Sequence, residues 1–146
     1  MKSLNPIVVA DDDDNDAELI ISALKASQLK NPIDRVSDGV ELVEKLLELH
    51  QQRINPCFVL LDLKMPRMDG LDALKAIRED NRIRMTPIIM LTSSKDERDI
   101  VKSYEYGVNA FVAKPIDVKE FLESIKAVGC FWVLYNQLPG GQKDDS

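Results

Sequence analysis

The sequence predicts an α/β fold: a doubly wound, five-stranded parallel sheet, (βα)5, with helices on both faces. Three observations carry that prediction. Short apolar runs alternate five times with longer segments whose apolar residues recur at i, i+3 and i+4. Three of the five short runs are almost wholly apolar instead of alternating, as strands covered on both faces must be. Pro56, Pro87 and Pro115 fall at element boundaries, where a missing N–H does least harm.

The first strand is expected at Pro6–Ala10 ("PIVVA"), followed by a helix over Ala17–Gln28 with Leu19, Ile20, Ala23 and Leu24 on one face. Asp14, Asn15 and Asp16 precede that helix, where Asp and Asn cap free N–H groups and complement the dipole. The second strand is expected at Ile33–Ser37. Its helix, Val40–His50, carries Val40, Val43, Leu46 and Leu47. Cys57–Asp62 reads as the third strand and Leu71–Glu79, with Leu71, Leu74 and Ile77, as its helix. Pro87–Thr92 is the fourth strand. The polar helix after it, Asp96–Tyr106, offers Ile100, Val101 and Tyr104. Ala110–Lys114 is the fifth strand, and Val118–Gln137, with Val118, Phe121, Leu122, Ile125 and Val128, is the last helix. Parallel neighbours require such crossover helices.

A chain of 146 residues, 45% hydrophobic and 30% charged, suits one globular domain. A net charge of -6 argues against a general nucleic-acid or anionic-membrane surface. No apolar run approaches the ~20 residues of a membrane span, and "MKSLNP" lacks a signal-peptide core. Cys57 and Cys130 have no CxxC spacing and read as reduced core or near-core thiols of a cytoplasmic protein. The single histidine, His50, excludes a His-rich metal site and is expected to cap or flank a helix end.

Ligands of an open α/β sheet bind beyond the carboxyl ends of its strands. The first strand ends in Asp11 and Asp12, the third in Asp62, the fourth in Thr92 and Ser93, the fifth in Lys114. Three carboxylates, a hydroxyl and an ammonium therefore converge on one sheet edge. Two like charges 4 Å apart repel by roughly 4 kcal/mol at an effective dielectric of about 20. A hard cation among them offsets that repulsion, and Mg²⁺ suits one or two carboxylates plus phosphate oxygens. Asp62, on the central strand, is placed as a nucleophile. Lys114 can pair with a phosphoryl oxygen and Thr92 can donate a hydrogen bond to another. Together they would form an electrostatic clamp for phosphoryl transfer. Asp13 gains no role from its spacing beyond nearness to the metal.

In this order, the pair Asp11 and Asp12, "LLDLKMPRMDG" around Asp62, "LTSS" with Thr92 and "FVAKP" with Lys114 resemble the receiver domain of two-component response regulators, over about Pro6–Val128. The resemblance implies a flavodoxin-like sheet and a phosphoryl group accepted on Asp62 from the phosphohistidine of a sensor histidine kinase. It implies Mg²⁺ held by Asp11, Asp12, Asp62 and the backbone carbonyl of Lys64, and a loop shaped by Pro66 and Gly70. Thr92 and Lys114 would bind the phosphoryl oxygens. The switch would be Thr92 with Phe111, the aromatic three residues before Lys114; many members carry Tyr there, and Phe lacks the hydroxyl. A plain core role for Phe111 stays open. Lys64 and Ser94, two residues after Asp62 and Thr92, occupy the positions by which the family tunes dephosphorylation.

A narrower resemblance lies in "NDAELIISAL" and in the late "GCFW" and Leu-Pro, similar to small regulators that partner phytochrome kinases. Residues 1–129 would form the receiver, 130–138 a helical extension and 139–146 a disordered tail, with no effector domain. Phe131, Trp132, Val133 and Tyr135 would cover either the domain's own core or a homodimer interface. Output would then run through a downstream protein target or a phosphotransfer protein, without nucleic acid or membrane. Such a protein is not an enzyme beyond its own phosphotransfer and dephosphorylation. Three rivals are weaker. A haloacid-dehalogenase-type phosphatase wants a second Asp where Lys64 stands. A flavodoxin-like cofactor binder would meet four aspartates at its phosphate loop. A degenerate receiver would lack one of Asp11, Asp12, Asp62, Thr92 or Lys114, and all are present.

Overall fold

The computed structural model describes residues 5–26, 30–92 and 97–113. Five strands, β1 (Ile7–Ala10), β2 (Ile33–Val36), β3 (Phe58–Leu61), β4 (Ile88–Thr92) and β5 (Ala110–Ala113), alternate with α1 (Asp14–Ala26), α2 (Gly39–Gln51), α3 (Gly70–Glu79) and α4 (Glu97–Glu105). The strands pair in parallel in the order β2-β1-β3-β4-β5. The expected final helix, the extension with Cys130 and the tail lie outside the described residues.

Why the strand runs are apolar throughout is visible in the two cores. Val8, Ala10, Val59, Leu61, Ile88 and Met90 face one cluster, which Leu42, Leu46 and Leu49 of α2 and Leu74 and Ile77 of α3 complete. The alternate residues Ile7, Val9, Phe58, Leu60, Ile89 and Leu91 face the other, with Ile20, Ala23 and Leu24 of α1. Period-two alternation thus puts apolar side chains on both faces, and helices cover each. β2, the edge strand, buries only Val36, which accounts for the mixed run "IDRV".

Helix ends and faces depart from the expected pattern in three places. Asp13 caps α1, its carboxylate accepting from the Asp16 amide at 2.9 Å. Asp14 and Asp16 instead lie in the first turn, where their charge complements the dipole. In α2 the buried stripe is Leu42, Leu46 and Leu49, with Val43 and Leu47 at its margin. In α4 Val101 and Tyr104 are exposed, whereas Ser103 is buried and donates to the Asp99 carbonyl at 2.9 Å. His50 lies in the last turn of α2, which stops at Arg53 in the left-handed region (φ 61°). Cys57 is a buried thiol whose Sγ accepts from Asn31 Nδ2 at 3.2 Å, and burial pushes its pKa up to about 11.

Arg78 ties the sheet end opposite the acidic edge. Its guanidinium donates to the carbonyls of Gly107, Arg84 and Thr86 and to Asn109 Oδ1, at 2.8–2.9 Å. Asn109 Oδ1 also accepts from the Ile88 amide, so one side chain joins α3, β4 and the turn into β5. Replacing Arg78 with Met is expected to cost about 1–2 kcal/mol in urea unfolding, because four acceptors, of which the Thr86 carbonyl is part-buried, lose a charged donor. A midpoint within error of wild type would show that solvent replaces it.

Candidate functional site

The sheet order changes direction at β1, whose neighbours are β2 and β3, and this opens a crevice at the carboxyl ends of β1 and β3. Ala10 is paired with both Leu61 and Val36, so Asp11 and Asp62 leave the sheet side by side. Two backbone hydrogen bonds continue the ladder past the strands: Asp62 N to Ala10 O at 2.9 Å and Asp11 N to Val36 O at 3.1 Å. Asp11, Asp12 and Asp62 each present a carboxylate oxygen, and all three oxygens lie within 4.8 Å of one another. Asp11 is 1% exposed, Asp62 half-buried and Asp12 exposed, so the site runs from a buried floor to solvent. Asp11 Oδ1 also accepts from the Asp13 amide at 2.9 Å. This all-oxygen, anionic, open-sided set fits a hard divalent cation and offers nothing soft.

Arg35 is a component that the sequence reading missed. From half-buried β2 it donates Nε and Nη2 to the Asp11 carbonyl at 3.2 and 2.9 Å, and Nη1 to Asp14 at 2.8 Å. Asp14 is exposed, so the ion pair itself contributes about 0–1 kcal/mol. Its larger effect is to fix the carbonyl of a buried acidic residue. The signal in the sequence was the mixed run "IDRV", which puts a cation on a strand that is not wholly apolar.

The loop after Asp62 is shaped by contact. Leu63 is buried and its carbonyl accepts from the Gly70 amide at 2.8 Å. A Cβ on Gly70 would sit 2.4 Å from the Asp62 carbonyl oxygen and 2.9 Å from Leu63 Cα, which explains the glycine. Asp69 caps α3 by accepting from the Asp72 amide at 2.9 Å. Lys64 is exposed on this loop. Phe111 is half-buried on β5, opposite Met90, and packs against the larger core. Thr92 closes β4 in register with Ala113, the residue before Lys114. The Thr92 side chain, Ser93, Ser94 and Lys114 lie outside what is described.

A family model for the response regulator receiver domain matches residues 7–126. The chain belongs to that family. It is 27% identical to the response regulator Rcp1 of Synechocystis sp. over 135 residues, 91% of this chain and 92% of Rcp1. A crystal structure of the Mn²⁺-bound form of Rcp1 superimposes with a TM-score of 0.79 over 92% of this chain and 99% of the other. The phosphorylated cyanobacterial phytochrome response regulator RcpA superimposes with a TM-score of 0.83 at 29% identity, covering 94% and 99% of the two chains. The bacteriophytochrome response regulator RtBRR is 42% identical, with a TM-score of 0.72 over 96% and 87%. Receiver-domain response regulators are signalling proteins and not enzymes in the ordinary sense. Receiver domains bind a divalent metal in an acidic pocket, and the carboxylates of Asp11, Asp12 and Asp62 form one here. Among the described residues no helix is long and apolar enough to cross a membrane.

Gly70→Ala is expected to lower stability by about 2 kcal/mol, since backbone atoms of Asp62 and Leu63 must yield. It should also weaken divalent-cation binding, because the displaced atoms carry the Asp62 carboxylate. Calorimetric titration with Mg²⁺ alongside a thermal melt checks both; an affinity equal to wild type would show that the loop shifts without moving Asp62.

Proposed function

We propose that this chain is a single-domain phosphoacceptor of a two-component pathway, taking its phosphoryl group on Asp62 from a sensor histidine kinase. The observation that carries this reading is the convergence of Asp11, Asp12 and Asp62 at the switch point of the sheet. An Asp62 carboxylate oxygen attacks the phosphorus, the bond to the kinase histidine nitrogen breaks, and an acyl phosphate forms. The imidazole leaves and takes up a proton from solvent.

The three carboxylates suit Mg²⁺, with the Lys64 backbone carbonyl as a further ligand; the cation, when bound, neutralises charge on the transferring phosphoryl oxygens. The Asp11 carboxylate, held by the Asp13 amide, keeps its orientation throughout. Thr92 and Lys114 hold the phosphoryl oxygens, and Thr92 with Phe111 moves between two states. Phe111 is half-buried against the core, so an inward shift would bury more of its ring. Likeness to RcpA and RtBRR, both named for phytochromes, supports a phytochrome kinase as donor. The output is a changed protein-binding surface offered to a downstream target or phosphotransfer protein in the cytoplasm. Residues 130–138 supply a homodimer face, with 1–129 as the receiver and 139–146 as a tail.

The test is incubation with acetyl phosphate and Mg²⁺ followed by intact-mass measurement. Wild type should gain one phosphoryl group, Asp62→Asn none, and chelation of the metal should abolish the gain. A wild-type chain that never gains mass would instead be a receiver that works by binding alone. Lys64→Ala should shorten the lifetime of the phosphorylated form about two- to fivefold, since removing one long side chain beside the site eases attack by water. Decay followed by ³¹P NMR reads this; an unchanged half-life would remove Lys64 from the dephosphorylation step.

A further inference from the structure

The loop between Asp62 and α3 is held at both ends, and the two holds are chemically different. At its start Leu63 is buried and bonded to Gly70. At its far end it reaches across to α2. The Met68 carbonyl accepts from the Gly39 amide at 2.9 Å, so close that a Cβ on Gly39 would sit 2.5 Å from that oxygen. Arg67 then grips Asp38 with two donors, Nε to Oδ2 at 2.8 Å and Nη2 to Oδ1 at 3.2 Å. Asp38 is 5% exposed, and its Oδ1 also accepts from the Glu41 amide at 2.8 Å as the cap of α2. The acceptor is thus rigid, fixed to a helix end. The bonds from Arg67, then that from Glu41, hold the Asp38 carboxyl below its ordinary range.

Arg67 is a poor residue for its own backbone. Its φ of 63° lies in the left-handed region, which Gly or Asn adopts with less strain. Its side chain is more than half exposed, and exposed ion pairs contribute little to stability as a rule. What Arg offers here is the planar fork that meets a carboxylate with two parallel bonds. We propose that Arg67 and Asp38 form a positioning clamp: the pair holds the loop from Lys64 to Asp69 against the α2 cap and thereby fixes the cation-binding edge beside Asp62. The clamp rests on the reading of Asp62 as the phosphoacceptor only for its consequence; its effect on the metal is separately measurable.

Net charge separates this from a field effect. Arg67→Asn, which tolerates the left-handed backbone, makes the surroundings of the site more negative. Asp38→Asn, which keeps a capping side chain, makes them less negative. A clamp predicts that both single variants and the Asp38→Asn/Arg67→Asn double variant bind Mn²⁺ about tenfold more weakly than wild type, the double no worse than either single. Mn²⁺ titration of the full chain by electron paramagnetic resonance reads the dissociation constant directly, and circular dichroism confirms the folded fraction. Arg82→Ala, which breaks the Arg82–Asp80 pair remote from the site, is the control and should leave the constant unchanged. Tighter or equal binding by Arg67→Asn overturns the proposal, as does a lowered melting temperature with an unchanged constant. Should Asp38→Asn fail to fold, the sign of the Arg67→Asn change decides alone. A wild type that binds Mn²⁺ but takes no phosphoryl group from acetyl phosphate would refute the phosphoacceptor reading and leave the clamp standing or falling on the Mn²⁺ constants.

Discussion

Parallel pairing of β1 with β3 forces Asp11 and Asp62 into adjacent positions, and much of the rest of the molecule answers to that constraint. Carboxylate oxygens within 4.8 Å of one another repel by on the order of 3 kcal/mol per pair at an effective dielectric of about 20. Burying Asp11 raises the cost of leaving its charge unmatched. The chain spends donors on this edge accordingly: the Asp13 amide on the Asp11 carboxylate and the Arg35 fork on the Asp11 carbonyl. Such a site is stable enough to fold and still suits a divalent cation.

Rigidity below the site maintains that arrangement. The strands beneath it are buried on both faces, so the carboxylates project from a frame that cannot relax to separate them. Above the frame, three aspartates of the same chemical type perform a different task. Asp13, Asp38 and Asp69 each cap a helix that starts next to the crevice, turning acidic residues into fixed acceptors and not ligands. Abundant aspartate near the crevice therefore divides into carboxylates that converge and caps that point into helix ends. Arg35 reaches from β2 to the segment after β1, and Arg67 from the loop before α3 to the cap of α2, in the way Arg78 braces the opposite end of the sheet. Guanidinium forks are the fasteners between elements, and their reach is what short backbone contacts cannot supply.

Signalling requires that one part of this frame be less constrained than the rest. β1 and β3 are fully buried, whereas Phe111 on β5 is only half-buried and α4 turns Val101 and Tyr104 outward. Among the described residues β4 is as buried as β1 and β3, so the lighter packing on that side is confined to Phe111 of β5 and the outward face of α4.

The sequence by itself determined the architecture and the edge of the sheet at which acidic residues gather. Apolar runs of strand length, with prolines at their borders, admit little other than a covered parallel sheet, and strand-end chemistry at Asp11, Asp12 and Asp62 follows from the rule that such sheets bind ligands at their carboxyl edge. Helix positions were legible to within a few residues, because burial periodicity survives small errors in phase; the phase held in α1 and α3 but not in α2 and α4, as Leu49 and Ser103 show. Only the tertiary structure decided which aspartates converge on one point and which are caps. Asp13 and Asp12 are neighbours of one type, and the direction of each side chain depends on where the chain turns into α1. It also decided the partners of Arg35 and Arg67, since a long flexible cation leaves no periodic mark in a sequence and its acceptors lie 24 and 29 residues away, brought within reach by the folding of the sheet.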